Sequence, residues 1–109
     1  NTTGGTDIAV STGDDITFAD SSKAIFGAGS DLEIFHNGSN SYITEVGTGN
    51  LIIRSATSTI FQGATAGENK LTLTEDGAVS AYYDNALKLA TTATGIDVTG
   101  TVTATGTSV

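Results

Sequence analysis

An eight-residue period runs through the first third of the chain and limits its possible folds more than any other feature. Each unit holds a small residue for a tight bend, a charge two positions later, and two apolar residues that are themselves two apart. Residues 5–34 align in four columns when they are written in rows of eight. The small residues are Gly5, Gly13, Ser21 and Gly29, and the charged residues are Asp7, Asp15, Lys23 and Asp31. The first apolar positions hold Ile8, Ile16, Ala24 and Leu32, and the second hold Val10, Phe18, Phe26 and Ile34. Because side chains two apart in a strand share a face, each unit has one narrow apolar face. The period predicts an all-β chain of short strands and turns.

The same step returns later in the chain. Leu51 and Ile53 are followed eight residues on by Thr59 and Phe61. The later units are Leu71 and Leu73, Val79 and Ala81, Leu87 and Leu89, and, after one extra residue, Ile96 and Val98. The extra residue indicates a bulge or a longer turn at Thr94-Gly95.

These segments predict one repetitive β domain over 1–109 that is part of a longer chain. Its expected parts are a polar lead-in at 1–6, octads at 7–34, a hairpin block at 32–61, a loop at 62–70 and a second repeat block at 71–109.

Turn chemistry supports strands in two places where the period alone is ambiguous. Asn37-Gly38 is a strong hairpin signal, which predicts that Leu32–His36 reverses into 41–46. Residues 82–90 can also be drawn on one face of a helix, because Ala, Leu and Lys favour helices. Asp84-Asn85 is turn chemistry, however, and the segment keeps the period, so we predict strands there as well.

A face only two apolar residues wide cannot enclose a core by itself, so the units must stack on one another or on copies from other chains. A single-chain solenoid usually needs around 20 residues per coil. Three chains that each supply a short strand would instead close a triangle and leave few open edges. We predict an elongated β-rod, most simply a homotrimeric, intertwined β-helix or β-prism. A single-chain parallel β-solenoid and a β-sandwich are the alternatives.

Composition argues against several functional classes. Cys, Met, Trp and Pro are absent from the 109 residues, which leaves no disulfide, thiol nucleophile or Cys-ligated metal. Twelve acidic residues against 4 basic ones give a formal charge of −8, which repels nucleic-acid phosphates and anionic lipid heads. No apolar run approaches the roughly 20 residues of a membrane helix. We expect no nucleic-acid partner, no membrane insertion and no cofactor.

One long motif resembles a known family. The run AIFGAGSDLEIFHNGSNSYI at 24–43, followed by GTGNLII at 47–53, is similar to a repeat of tail-fibre and other structural proteins of tailed bacteriophages, especially those of marine cyanobacteria. Residues 81–85, 88–89 and 94–100 resemble the module that usually follows it. The resemblance implies a trimeric, intertwined β-rod in a virion appendage, with other virion proteins as partners and a virion or extracellular location.

Candidate site residues are few. His36 is in phase with Leu32 and Ile34, so three copies could converge on a trimer axis and hold a metal or an anion. The alternative, which we favour, is a histidine hydrogen-bonded at the start of a turn, with no metal site. Tyr42, Tyr82 and Tyr83 are the candidate contacts to a host receptor or glycan.

The acidic residues suggest two further kinds of site, and we expect neither. Asp14, Asp15 and Asp20 could hold a divalent cation, but solvated turn acids explain them better. Hydrolysis of a surface polysaccharide needs two positioned carboxylates in a groove with aromatic platforms, and the period leaves no insertion long enough for such a cleft. We therefore predict no enzymatic activity.

The sequence favours a structural function. The leading hypothesis is a shaft or linker segment of a phage tail fibre or related appendage that projects a host-receptor-binding tip. The alternatives are a glycan- or receptor-binding module of the fibre, and a repeat of a cellular extracellular filament or adhesin.

Overall fold

The computed structural model describes residues 5–106, and among them it contains eight β-strands and no helix. The strands are β1 Ala24–Phe26, β2 Leu32–His36, β3 Ser41–Glu45, β4 Ser58–Gln62, β5 Asn69–Thr74, β6 Val79–Tyr83, β7 Ala86–Thr91 and β8 Ile96–Val98. They form two antiparallel sheets, β1-β2-β3 and β4-β5-β6-β7-β8. The all-β prediction is confirmed.

The chain divides into two compact units, Asn1–Ile52 and Ile53–Val109, each with one of the sheets. The sequence predicted one repetitive domain over the same residues. Parts of that prediction, at 1–4 and 107–109, lie outside the described residues.

The first sheet is a meander whose β2–β3 hairpin follows the Asn-Gly prediction. His36 pairs with Ser41 at the end of the ladder, and the four residues between them form the turn. The side chain of Asn37 holds this turn, because its Oδ1 accepts hydrogen bonds from the backbone N–H groups of Ser39 (2.9 Å) and Asn40 (2.8 Å). Gly38 adopts φ 96°, which glycine reaches without strain. The hairpin prediction is confirmed.

The second sheet is a five-stranded meander in which every neighbour along the chain is also a neighbour in space. The turn between β6 and β7 consists of Asp84 (φ 48°) and Asn85 (φ 62°), and two consecutive positive φ values match the twist of a tight hairpin. Strands therefore occupy 82–83 and 86–90, on either side of this turn, and the helical alternative is wrong.

The extra residue before β8 is absorbed by a longer turn, one of the two predicted explanations. Thr92 donates its backbone N–H to the carbonyl of Gly95 at 2.7 Å, and this bond closes a four-residue connection. A bulge lies elsewhere. Ala81 pairs with Leu89 while Tyr82 pairs with Leu87, so Lys88 is the extra residue.

In the first part of the chain the eight-residue period coincides with regularly spaced turns, and strands begin only at Ala24. Backbone bonds close turns from Asp14 N–H to Ser11 O (3.0 Å), from Ser22 N–H to Ala19 O (2.9 Å) and from Ser30 N–H to Gly27 O (3.1 Å), each eight residues after the last. Residues 7–23 nevertheless contain no strand, and neither do 51–54. The predicted strands there lack a pairing partner within the described chain.

Candidate functional site: the exposed apolar sheet faces

The second sheet carries an apolar row that crosses all five strands. Direct pairing aligns one residue from each strand, and paired residues lie on the same face of a sheet. The row consists of Phe61, Leu71, Ala81, Leu89 and Val98. A second row beside it, two residues along each strand, contains Thr59, Leu73, Val79, Thr91 and Ile96. We call these ten residues the apolar face of the second sheet.

The other face of this sheet has a different character. Its aligned row is Ile60, Thr72, Ser80, Ala90 and Asp97. Three of these five side chains are polar, and one carries a charge. The eight-residue period therefore gathers most of the large apolar residues on one side of the sheet, with Ile60 as an exception on the other.

The first sheet repeats this division on a smaller scale. Ala24, Ile34 and Ile43 are aligned across its three strands, and Phe26 pairs with Leu32. We call these five residues the apolar face of the first sheet. Glu45 also pairs with Leu32, and its Oε1 is shielded from solvent and has no hydrogen-bond partner among the described residues.

Both apolar faces are open to solvent in the single chain. Ile43 is 60% exposed on the first sheet, and Ile96 is 63% exposed on the second. No described side chain, apolar or polar, is fully buried. A folded sheet normally excludes water from one face, so both sheets lack the layer that would cover them.

The total surface of the chain exceeds that of two compact bodies of the same total mass. The chain exposes 8967 Å² for a mass of 10.9 kDa. Two separate compact bodies sharing this mass would expose about 6,700 Å², which is roughly 2,200 Å² less. The chain is therefore less compact than two globular bodies of the same total mass.

The opposite face of the first sheet carries an aromatic and ionic cluster. The rings of Phe35 and Tyr42 stack with centroids 4.9 Å apart. Lys23 Nζ lies 4.8 Å from the centre of the Phe35 ring and 3.0 Å from Glu33 Oε1. The amide of Asn37 donates to the Tyr42 hydroxyl at 3.3 Å. Tyr42 thus already uses one side of its ring and its hydroxyl within the chain.

The other two tyrosines do not share a platform. Tyr82 and Tyr83 are consecutive residues of β6, so their side chains point to opposite faces. Tyr83 is 74% exposed, whereas Tyr82 is half-buried. The β6–β7 turn beside them is fixed to β5, because Asn69 donates its backbone N–H to Asn85 Oδ1 at 2.9 Å.

His36 lies at the end of β2, where the sequence placed it, on the same face as Ile34. Its Nδ1 is 2.9 Å from the Ser41 hydroxyl, so the ring is hydrogen-bonded across the hairpin. An axial metal would require the other ring nitrogen of three copies to converge.

The acidic side chains form no compact metal site within the described chain. Among residues 5–106 no group of three or more His, Cys, Asp or Glu side chains is placed to hold a metal ion.

The same residues include no helix of the length and apolarity that a bilayer crossing requires.

Sequence reasoning did not single out Lys23 or Phe35 as members of a cluster. Their contacts with Glu33 and Tyr42 join neighbouring strands, so they could be predicted only if the strand register were known.

Comparison with known proteins gives no match to a family model, a curated protein or a solved structure.

Proposed function

We propose that this chain is a shaft or linker segment of a homotrimeric fibre, and that the apolar faces of its two sheets are covered by the same faces of neighbouring copies. The observation that carries the proposal is the absence of any fully buried side chain among the described residues, together with two continuous apolar faces. A covering layer is needed, and a second copy offers a surface of the same size and chemistry.

The strand pairing favours a prism over an intertwined helix for the two sheets. Each strand of β4–β8 is hydrogen-bonded to a neighbour from its own chain, so other chains are not required to complete those ladders. Three such sheets with their apolar faces inward would form a triangular prism. Only the side chains would meet across its axis.

The assignment to a phage tail fibre rests on the resemblance of 24–43 and 47–53 to the tail-fibre repeat, and of 81–85, 88–89 and 94–100 to the module that usually follows it. In that setting the segment is mechanical. It spaces a receptor-binding tip from the particle and transmits contact along the rod, and its partners are the other virion proteins. The rod needs no catalytic group for this role, so we propose no enzymatic activity.

A glycan-binding role is the second candidate, and one observation favours it. The Phe35–Tyr42 stack lies on the face of the first sheet that remains outside in the proposed prism, and Tyr42 is 36% exposed. A sugar ring could pack against the face of Tyr42 that Phe35 leaves free, with the Asn37 amide close by as a donor. Binding to a glycan array that is lost in Tyr42→Ala and kept in Tyr83→Ala would support this role.

Sedimentation velocity and negative-stain electron microscopy on the intact chain test the shaft proposal. We expect a particle of three chains with a high frictional ratio, seen as a short rod. A compact trimer would contradict the shaft, and a monomer would contradict the assembly itself.

A further inference from the structure

Two stretches near the start of the chain repeat the octad pattern without joining a sheet. Residues 7–10 and 15–18 are followed by turns that close from Asp14 to Ser11 and from Ser22 to Ala19. The third residue of each turn is left-handed, with φ 87° at Gly13 and 65° at Ser21. We call residues 7–18 the N-terminal octads.

The backbone of these stretches is unpaired. Within the described residues, neither 7–10 nor 15–18 makes a backbone hydrogen bond. The same period at 71–98 gives a complete ladder of strands, so the pattern itself is compatible with pairing. Unpaired N–H and C=O groups in a strand-like stretch are a template for another strand.

The apolar side chains of the N-terminal octads are exposed to solvent. Ile8 is 83% exposed and Val10 45%, and one octad later Ile16 is 58% and Phe18 52% exposed. Scattered exposed apolar residues are common, but here they repeat at the period that forms sheet faces in the rest of the chain.

We infer that the N-terminal octads become β-strands only by backbone pairing with the same residues of neighbouring copies, so that the chains are joined by hydrogen bonds here and by side-chain packing at the two sheets. The inference rests on the proposed homo-oligomer and adds where its chains exchange backbone bonds.

The eight-residue spacing favours a second copy of this chain as the pairing partner of the N-terminal octads. The partner must present two apolar pairs and two tight turns at the same eight-residue step, and a copy of this chain meets that requirement by construction.

Hydrogen exchange read by mass spectrometry tests this on the intact chain, with no other protein present. In the oligomer we expect the amides of 7–10 and 15–18 to exchange on the order of 100-fold more slowly than in an unstructured peptide of the same sequence. On dilution to the monomer they should exchange freely, while the amides of β5 and β6 keep more of their protection.

The other outcomes have distinct meanings. Free exchange at 7–18 in a stable oligomer would overturn this inference and leave the proposed fibre intact. Slow exchange in the monomer would show pairing within one chain and also overturn it. A chain that stays monomeric at every concentration would overturn the inference and the proposed function together.

A pair of proline variants gives an independent test. Thr17→Pro removes a backbone N–H between Ile16 and Phe18, so we expect it to lower oligomer affinity about tenfold or more. Thr12→Pro is the control, since it falls in the second position of the turn closed by Asp14, where Pro is favoured and the N–H is not used. Equal oligomer affinity for the two variants would contradict the inference.

Discussion

The carboxylate of Asp31 lies in the space that a side chain at Gly47 would need. A Cβ built on Gly47 would be 2.7 Å from Asp31 Cγ and 2.8 Å from Asp31 Cβ. The backbone of Asp31 is fixed at the same point, because its carbonyl accepts from the N–H of Val46 at 2.7 Å and of Gly47 at 3.3 Å. The loop after β3 is therefore packed against the loop before β2 with no room for another methyl group.

Gly47→Ala should lower stability by about 1–3 kcal/mol, the usual cost of an overpacked site. Rotation of the Asp31 carboxylate cannot relieve the clash, since the Asp31 Cβ itself is too close. Gly95→Ala is the control, because its new Cβ would meet nothing within 4 Å and its φ is not left-handed. Urea unfolding at one protein concentration measures both. Equal midpoints for the two variants would show that the loops are not packed as described.

The β6–β7 turn allows backbone strain to be separated from a hydrogen bond. Asn85→Gly keeps the left-handed conformation but loses the bond from the Asn69 N–H, so we expect a loss of about 1 kcal/mol. Asn85→Ala loses the bond and also adopts φ 62° with a Cβ, which adds about 1–2 kcal/mol.

The neighbouring residue of the turn is the control for this series. Asp84 has φ 48° and its side chain makes no hydrogen bond to any residue of 5–106, so Asp84→Gly should leave stability nearly unchanged. Thermal unfolding should rank the variants in the order wild type, Asn85→Gly, Asn85→Ala. Equal stability of Asn85→Gly and wild type would exclude a contribution from the Asn69–Asn85 bond.

Two adjacent residues of β4 test which sheet face is covered. Phe61 and Ile60 are 46% and 52% exposed in the single chain, but Phe61 belongs to the apolar face and Ile60 to the opposite one. Covering a half-exposed side chain of this size contributes about 1 kcal/mol in each copy. Phe61→Asn should therefore weaken the oligomer much more than Ile60→Asn. Sedimentation equilibrium compares them, and the reverse order would place the interface on the other face.

The charge of the chain predicts how salt acts on assembly. Each copy carries a formal charge of −8, so bringing copies together is opposed by repulsion. Raising the ionic strength from about 0.01 M to about 1 M shortens the screening length from roughly 30 to 3 Å. The oligomer should become more stable across this range. Weakening by salt would mean that opposite charges on different copies hold the assembly together.

Most of the strand positions could be predicted from the sequence, because apolar pairs two apart, spaced by turn residues, have few other solutions. Asn37-Gly38 and Asp84-Asn85 predicted their hairpins for a different reason, because these turn residues tolerate positive φ. At the other connections the direction of pairing could not be predicted, since an octad places the same side chains on one face whether its neighbour runs parallel or antiparallel. The sequence predicted a rod, and the structure adds that each sheet is an antiparallel meander.

The unpaired segments could not be predicted at all. Ile8 and Val10 follow the same pattern as Leu71 and Leu73, yet only the latter lie in a sheet. The difference depends on whether a neighbouring strand of the same chain is within reach, and an eight-residue period contains no information about that. The Lys23–Phe35–Tyr42 cluster was missed because its members are distant in sequence and meet only through the strand register.

The mass of the native particle at micromolar concentration tests the central claim most directly. If the apolar faces of both sheets are covered by other copies, native mass spectrometry should give three times the 10.9 kDa of one chain, with no monomer at that concentration. A single folded chain of 10.9 kDa, cooperative in its unfolding and unchanged on dilution, would contradict the account.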